Sequence, residues 1–207
     1  MGLLKKFLNQ TRKPEGFLGK IILKGMNFGH AKGADWAMSY LDGLTPSGVV
    51  DLGCGGGRNA AVLLRKYPSA RVTAVDYSPL SVARTSELNK DAISAGRCVV
   101  LEGNVTSLPF EAAQFDIATA FETIYFWPGL KECFTEVARI LRPGGRFLIA
   151  NETGGTDPVG RKFEKIIDGM KVYTQEEIME ALKGAGFSKV RCEHHPSLPW
   201  ITVLAEK

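Results

Sequence analysis

The chain is predicted to fold as an α/β protein with a doubly wound, mainly parallel sheet of seven strands. Three observations carry that expectation. β-Branched runs alternate with helical patterns along most of the chain, a glycine-rich loop separates the first run from the first helix, and the last two strands are joined by a linker too short for a helical crossover. The 207 residues are 44% hydrophobic and 23% charged, which suits one domain with a core of its own.

Strands are expected near 48–52, 71–76, 98–101, 115–121, 145–150, 189–194 and 200–206, with helices near 58–67, 78–95, 129–141 and 174–184. Val49 and Val50 suit a buried first strand, and Asn59 to Tyr67 the helix behind it. Ser78-Pro79 opens the second helix with an N-cap residue and a proline in the first turn. Leu130, Phe134, Val137 and Leu141 fall on one face of the third. Thr174-Gln175-Glu176-Glu177 reads as a capping box for the fourth, which Gly184 or Gly186 ends. The linker His195-Pro196-Ser197-Leu198-Pro199 makes the final strand pair antiparallel. His194 and His195, read as neighbours in one strand, point to opposite faces and share no site. Thr45-Pro46-Ser47-Gly48 breaks the pattern before the first strand, dividing an N-terminal helical lid segment, residues 1–44, from a domain over 45–207.

The most specific local signal is the loop after the first strand, Asp51-Leu-Gly-Cys-Gly-Gly-Gly-Arg-Asn59. A dinucleotide loop wants Gly-x-Gly-x-x-Gly, but the sixth position counted from Gly53 is Arg58, so the spacing argues against NAD and FAD. Glycines there let the backbone turn at positive φ and approach a ligand, and a branched side chain at Gly53 is expected to fill the space where backbone meets ligand. The second strand ends in Asp76, an acid placed to accept ribose hydroxyls, and Tyr77 follows it with a ring that can face adenine. Farther on come Gly103-Asn104-Val105 and Leu141-Arg-Pro-Gly-Gly145.

These four motifs, in this order, resemble those of the class I S-adenosylmethionine-dependent methyltransferases from about Ser47 to Lys207. The resemblance implies a Rossmann-like sheet in the order 3-2-1-4-5-7-6, S-adenosylmethionine as cofactor, and an enzyme of class EC 2.1.1.-. It implies a cofactor site drawn from Asp51, Gly53, Cys54, Gly55, Asn59, Asp76, Tyr77, Asn104, Val105 and Phe121. Asn104 departs from the aspartate many members carry, and would accept from the adenine amino group through its carbonyl oxygen.

Such sheets bind ligands outside the carboxyl ends of their strands, which directs attention to Phe121-Glu122-Thr-Ile-Tyr125-Phe-Trp127 and Asn151-Glu152. Glu122 can act as a base or bind the methionyl amino group, Tyr125 and Phe126 can wall the acceptor pocket, and His30 can face substrate from the lid or make a structural hydrogen bond. The catalytic candidates are thus Glu122, Tyr125 and His30. Trp127, held extended by Pro128, is expected to pack under the next helix, and Glu152 to be a solvated rim carboxylate. Base-amine and glutamine methyltransferases carry Asn/Asp-Pro-Pro-Tyr/Phe where this chain has Phe121-Glu-Thr-Ile124, so a small-molecule acceptor of the kind used by quinone-biosynthesis-like members is expected instead.

Residues 1–33 hold seven Lys or Arg against one acid, Glu15, a net of +6; the chain totals +4, leaving −2 for the rest. The N-terminal segment is expected to pack Phe17, Leu18, Ile21 and Ile22 on the domain and leave its charges in water, so nucleic acid is not expected as a partner. The alternative is an RNA or protein methyltransferase that grips its substrate with this basic segment, and a third reading is a cofactor-binding protein without turnover. No stretch is long enough to span a bilayer, no signal-peptide core follows Lys5 and Lys6, and Cys54, Cys98, Cys133 and Cys192 show neither paired nor metal-ligand spacing. A cytoplasmic protein with reduced thiols and no metal is therefore expected.

Overall fold

The computed structural model describes residues 3–207, so residues 1 and 2 of the expected lid segment lie outside the described residues. Seven strands form one sheet: β1 (Gly48–Leu52), β2 (Arg71–Asp76), β3 (Cys98–Glu102), β4 (Phe115–Phe121), β5 (Leu141–Asn151), β6 (Ser188–His194) and β7 (Ile201–Glu206). Their order is β3-β2-β1-β4-β5-β7-β6, as implied by the resemblance. β1 to β5 pair in parallel, and β7 runs antiparallel between β5 and β6. The chain leaves β1 toward β2 on one side while β4 adjoins it on the other, so the strand order reverses at β1 and opens a crevice at the carboxyl ends.

The helices are α1 (Leu3–Leu8), α2 (Gly16–Gly29), α3 (Ala31–Ser39), α4 (Arg58–Lys66), α5 (Pro79–Leu88), α6 (Lys90–Ser94), α7 (Leu130–Ile140), α8 (Pro158–Ile166) and α9 (Gln175–Gly184). One core joins α7 and α9 to the sheet, with Trp127 edge-on to Phe134 and stacked on Phe147. The expected packing of Trp127 beneath the next helix is thus present. A second core on the opposite face holds Leu63 of α4, Val49 of β1 and Leu148 of β5.

Several expectations need correction. The helix expected over 78–95 breaks at Asn89, whose Nδ2 donates to the carbonyls of Thr85 (2.9 Å) and Gly57 (3.2 Å), so α5 and α6 replace it. β5 starts at Leu141 rather than 145, because Leu141 still pairs with Phe115 across an irregularity that Gly144, at φ 75°, accommodates. α8 was not expected, although Asp157-Pro158 is a helix-start signal and Asp157 Oδ1 accepts from the Gly160 N–H at 2.8 Å. His195 lies beyond the end of β6, edge-on to Trp36 and Trp200, while His194 Nε2 lies 2.6 Å from Gln175 Oε1.

The N-terminal segment divides differently from its sequence pattern. α3 belongs to the second core through Ala34, Ala37 and Met38, so only α1 and α2 are left to act as a cover. α2 buries Gly19, Ile22 and Leu23 and exposes Phe17, Leu18 and Ile21, nearly the reverse of the expected face. Gly19 explains the rotation: a Cβ there would sit 2.8 Å from the Pro14 carbonyl carbon and 2.9 Å from Leu80 Cδ2, so the helix approaches α5 by its glycine edge.

Candidate active site

The loop after β1 is tied to β2 by the N–H groups of Gly53 and Cys54, both donating to the Val75 carbonyl at 2.8 and 3.0 Å. Asp76 closes the arrangement. Its Oδ2 accepts from the Gly55 N–H and its Oδ1 from the Ser78 N–H, each at 2.9 Å. Each carboxylate oxygen retains a further lone pair, which leaves Asp76 capacity to accept hydroxyls. Burial raises its pKa, and these backbone hydrogen bonds oppose that shift.

A cavity of about 310 Å³ lies against this loop, lined by Gly53, Gly55, Asp76, Tyr77, Asn104, Val105 and Phe121 among others. Seven of the ten expected cofactor residues therefore meet there. Cys54 and Asn59 line a smaller recess of about 50 Å³, with the Cys54 thiol 3.4 Å from Thr85 Oγ1. Asp51 lies behind the loop, fully buried. Its Oδ1 accepts from Thr119 Oγ1 at 2.9 Å, its Oδ2 has no partner, and burial pushes its pKa up to about 7. Asn104 Oδ1 accepts from the Thr106 N–H at 3.1 Å, so one of its lone pairs is already committed.

The glycines do not all serve the same purpose. A Cβ on Gly53, at φ 77°, would lie 2.1 Å from Thr123 Oγ1, so the side chain of Thr123, rather than a ligand, excludes any larger residue. At Gly55, φ 53°, a Cβ would meet nothing within 4 Å, and its open side faces the cavity. An open glycine cradle beside a hydrogen-bonded carboxylate fits a ribose-bearing cofactor.

A second cavity of about 430 Å³ adjoins the first, and the two share Thr11, Met26, Glu122 and Phe126. Its walls are mostly apolar, including Leu8, Met26, Phe163 and Ile167, and His30, Glu122, Tyr125 and Glu152 form a polar group within it. Glu122 sits at φ 54°, a strained backbone for a non-glycine residue, held by the surrounding strand ends. Its Oε1 accepts from the Glu152 N–H at 2.5 Å and its Oε2 from the Tyr125 hydroxyl at 3.2 Å. Burial lifts its pKa to about 7; His30 pulls it down and Glu152 pushes it further up.

His30 Nδ1 lies 3.0 Å from Glu152 Oε2, at ion-pair distance. Burial alone would lower the His30 pKa, but Glu152 and Glu122 outweigh it and the net shift is upward. Burial and the neighbouring carboxylates raise the Tyr125 phenol well above its ordinary value. The structure thus brings together all three sequence candidates and adds Glu152, which is partly buried rather than a solvated rim carboxylate. Glu152 directly follows β5 beside the end of β4, a clue the sequence holds in Asn151-Glu152. Although no metal was expected, His30, Glu122 and Glu152 place potential ligand atoms within 4.8 Å of one another, close enough to hold a cation.

The cover is stitched to the loop and strand ends. The Tyr77 hydroxyl donates to the Arg12 carbonyl, Ser78 Oγ to the Pro14 carbonyl at 3.2 Å, and Asn27 Nδ2 to the Gly56 carbonyl at 3.0 Å. Sequence reading missed Asn27, which has no local pattern around it; its signal is Gly56, where a Cβ would come within 2.4 Å of Asn27 Nδ2.

A seven-stranded sheet with this reversal, loop and acidic strand end defines the class of Rossmann-like methyltransferases. Residues 50–149 match the family model described as a methyltransferase domain. The chain is 29% identical over 162 residues to a malonyl-[acyl-carrier protein] O-methyltransferase of Herminiimonas arsenicoxydans, covering 76% of this chain and 58% of that protein. It is 29% identical over 171 residues to a 24-methylenesterol C-methyltransferase 2 of Oryza sativa subsp. japonica, covering 75% and 46%. A chain in the complex between the Haloferax volcanii Trm112 methyltransferase activator and a methyltransferase superposes with a TM-score of 0.79 at 21% identity, covering 89% of this chain and 92% of that one. The family model over residues 50–149 and these relatives support the likeness to the class I S-adenosylmethionine-dependent methyltransferases. It spans about half the length of the curated relatives it matches.

Proposed function

We propose that the protein transfers the methyl group of S-adenosylmethionine to a small, largely apolar acceptor held in the cavity of about 430 Å³. The observation that carries this reading is the meeting of two cavities at Glu122, Met26 and Phe126, one at the glycine loop and the other walled by apolar side chains. The cofactor supplies an already activated methyl on a sulfonium, so the protein's part is to position the acceptor, exclude water and manage a proton.

Asp76, Tyr77 and the open side of Gly55 hold the ribose and adenine end; Glu122 receives the methionyl end or the acceptor's polar group. His30, oriented by Glu152, takes the proton from an acceptor that must lose one, and Tyr125 steadies Glu122. His30 Nδ1 and Glu152 Oε2 stand 3.0 Å apart, at ion-pair distance, and Nδ1 has no other partner, so the polar group acts as a proton-handling device rather than a metal centre. α1 and α2 form the lid that closes over both cavities, through Leu8, Leu23 and Met26.

Calorimetric titration with S-adenosylmethionine, followed by a screen of small acceptors with methyl-labelled cofactor and product mass as readout, tests the reading. Saturable cofactor binding and a labelled small product are expected. Absence of cofactor binding by a folded protein, or label transferred to RNA or protein but to no small acceptor, would overturn it.

A further inference from the structure

Surface helices normally turn an apolar stripe inward and charge outward. α2 does not. Its buried side carries Ile22, Leu23 and Met26, and its outer side exposes Phe17 (77%), Phe28 (88%), Ile21 and Leu18. At 3.6 residues per turn, Phe17, Ile21 and Phe28 fall within about 40° of one another, with Lys20 and Lys24 along one flank. The helix contains no acidic residue, and among the described residues no carboxylate pairs with Lys20 or Lys24.

α8 repeats the pattern at the rim of the apolar cavity. Val159 and Phe163, one helical turn apart, line that cavity yet are exposed, and Lys162 and Lys165 beside them are exposed as well.

Aromatic and aliphatic side chains set among lysines, with no acid in α2 and with Glu164 of α8 paired to Arg161 at 2.9 Å, are complementary to a surface that is apolar inside and negative outside. A protein partner able to cover this face would need carboxylates opposite the lysines around an apolar centre. A bilayer of anionic phospholipid offers both features over any area, and also explains why Val159 and Phe163 stay exposed at the cavity mouth. We infer that the outer face of α2, with Val159 and Phe163 of α8, docks on an anionic phospholipid bilayer, the phenylalanines entering the headgroup boundary and the lysines contacting phosphates. The apolar cavity can then receive an acceptor from the lipid phase. The docking itself stands without the methyl-transfer reading, since it rests on side chains outside both strand-end motifs.

Flotation with vesicles of pure phosphatidylcholine, and of phosphatidylcholine with phosphatidylglycerol, tests it directly on the whole chain. The protein should partition at least about tenfold better onto the phosphatidylglycerol vesicles. Phe17→Ser with Phe28→Ser should remove most of that binding, as should Lys20→Glu with Lys24→Glu, while calorimetric S-adenosylmethionine affinity measured without vesicles stays unchanged. Equal partition onto both vesicle types, or binding indifferent to the phenylalanine pair, would overturn the inference. So would a concentration-dependent dimer in sedimentation that the phenylalanine variant dissolves, because a second copy would then be what covers the face. Loss of cofactor affinity in a wild-type control would count against the methyl-transfer reading alone.

Discussion

The cavity at the glycine loop and the apolar cavity beside it are built by different routes. The first has a floor assembled from strand ends and the turns that directly follow them, the loop after β1, Asp76 and Tyr77 at the end of β2, Asn104 and Val105 after β3, with Arg12, Leu23 and Met26 of the cover above it. The second is assembled from segments far apart in the chain: Leu8 and Met26 from the cover, His30 from the α2–α3 junction, Glu152 from the end of β5, Phe163 from α8. Local geometry therefore fixes the floor of the first cavity, whereas the walls of the second depend on how α1, α2 and α8 pack. Substitutions in the first should act on cofactor binding or on the fold, and those in the second on transfer.

The largest expected effect separates two glycines of the same loop. Gly53→Val forces a branched side chain into Thr123 at a positive φ, and should cost roughly 3 kcal/mol or more in chemical denaturation, enough to compromise the fold. Gly55→Ala should cost only about 1–2 kcal/mol, the strain of the left-handed backbone, because its Cβ meets no protein atom. It should nevertheless weaken cofactor binding by calorimetry. Equal stability losses for the two would mean that Thr123 does not set the difference.

Asp76→Ala comes next. It removes the tie to the Gly55 and Ser78 N–H groups together with the acceptor for ribose hydroxyls, and should weaken S-adenosylmethionine binding by ~1–3 kcal/mol. Unchanged affinity would remove Asp76 from the site.

The contrast between the cavities also explains what the sequence could and could not reveal. Every strand could be anticipated, because β-branched runs and their turn residues are local signals, whereas the sheet order followed from the family resemblance. Seven of the ten expected cofactor residues line one cavity for the same reason. Glu152 is legible as a strand-end residue but not as the partner of His30, since that role depends on β5 lying beside β4 and on His30 arriving from more than a hundred positions away in the chain. The face of α2 was misjudged because its hydrophobicity runs nearly all the way round, so periodicity could not choose a side; packing chose it through Gly19. α8 has a local signal in its Asp157-Pro158 cap, but its short apolar pattern does not show that it lines a cavity.

Buried Asp51 sharpens the comparison through pH. Its pKa is about 7 in the folded protein against about 3.9 for an unperturbed aspartate, so the folded state holds the proton through that window. The associated stability is fully present below the unfolded pKa and is lost as pH rises through the window, at roughly 1.4 kcal/mol per pH unit for one group. Asp51→Asn stays neutral and can still accept from Thr119. It should flatten the decline and exceed wild type in urea unfolding above pH 7, with little difference below pH 4. A variant less stable than wild type at pH 8 would show that the charged form of Asp51 is tolerated.

The smallest expected effect belongs to Glu152→Gln. Two carboxylates outweigh the effect of burial and raise the His30 pKa; replacing one with an amide should move the His30 titration, followed by imidazole NMR, to lower pH with the fold unchanged. The alkaline-rising limb of methyl transfer should move in the same direction. An unmoved titration would mean that Glu152 does not orient His30.

His30→Ala tests the division of labour between the cavities most directly. His30 lines the apolar cavity and the small recess beside Cys54, but not the cavity of about 310 Å³ that holds Asp76. With an acceptor identified by the labelled-cofactor screen, S-adenosylmethionine affinity should stay within about tenfold of wild type. Methyl transfer should fall by about 10²-fold or more, the usual contribution of a positioned proton acceptor. Full turnover, or a loss of cofactor affinity as large as the loss of turnover, would contradict the account.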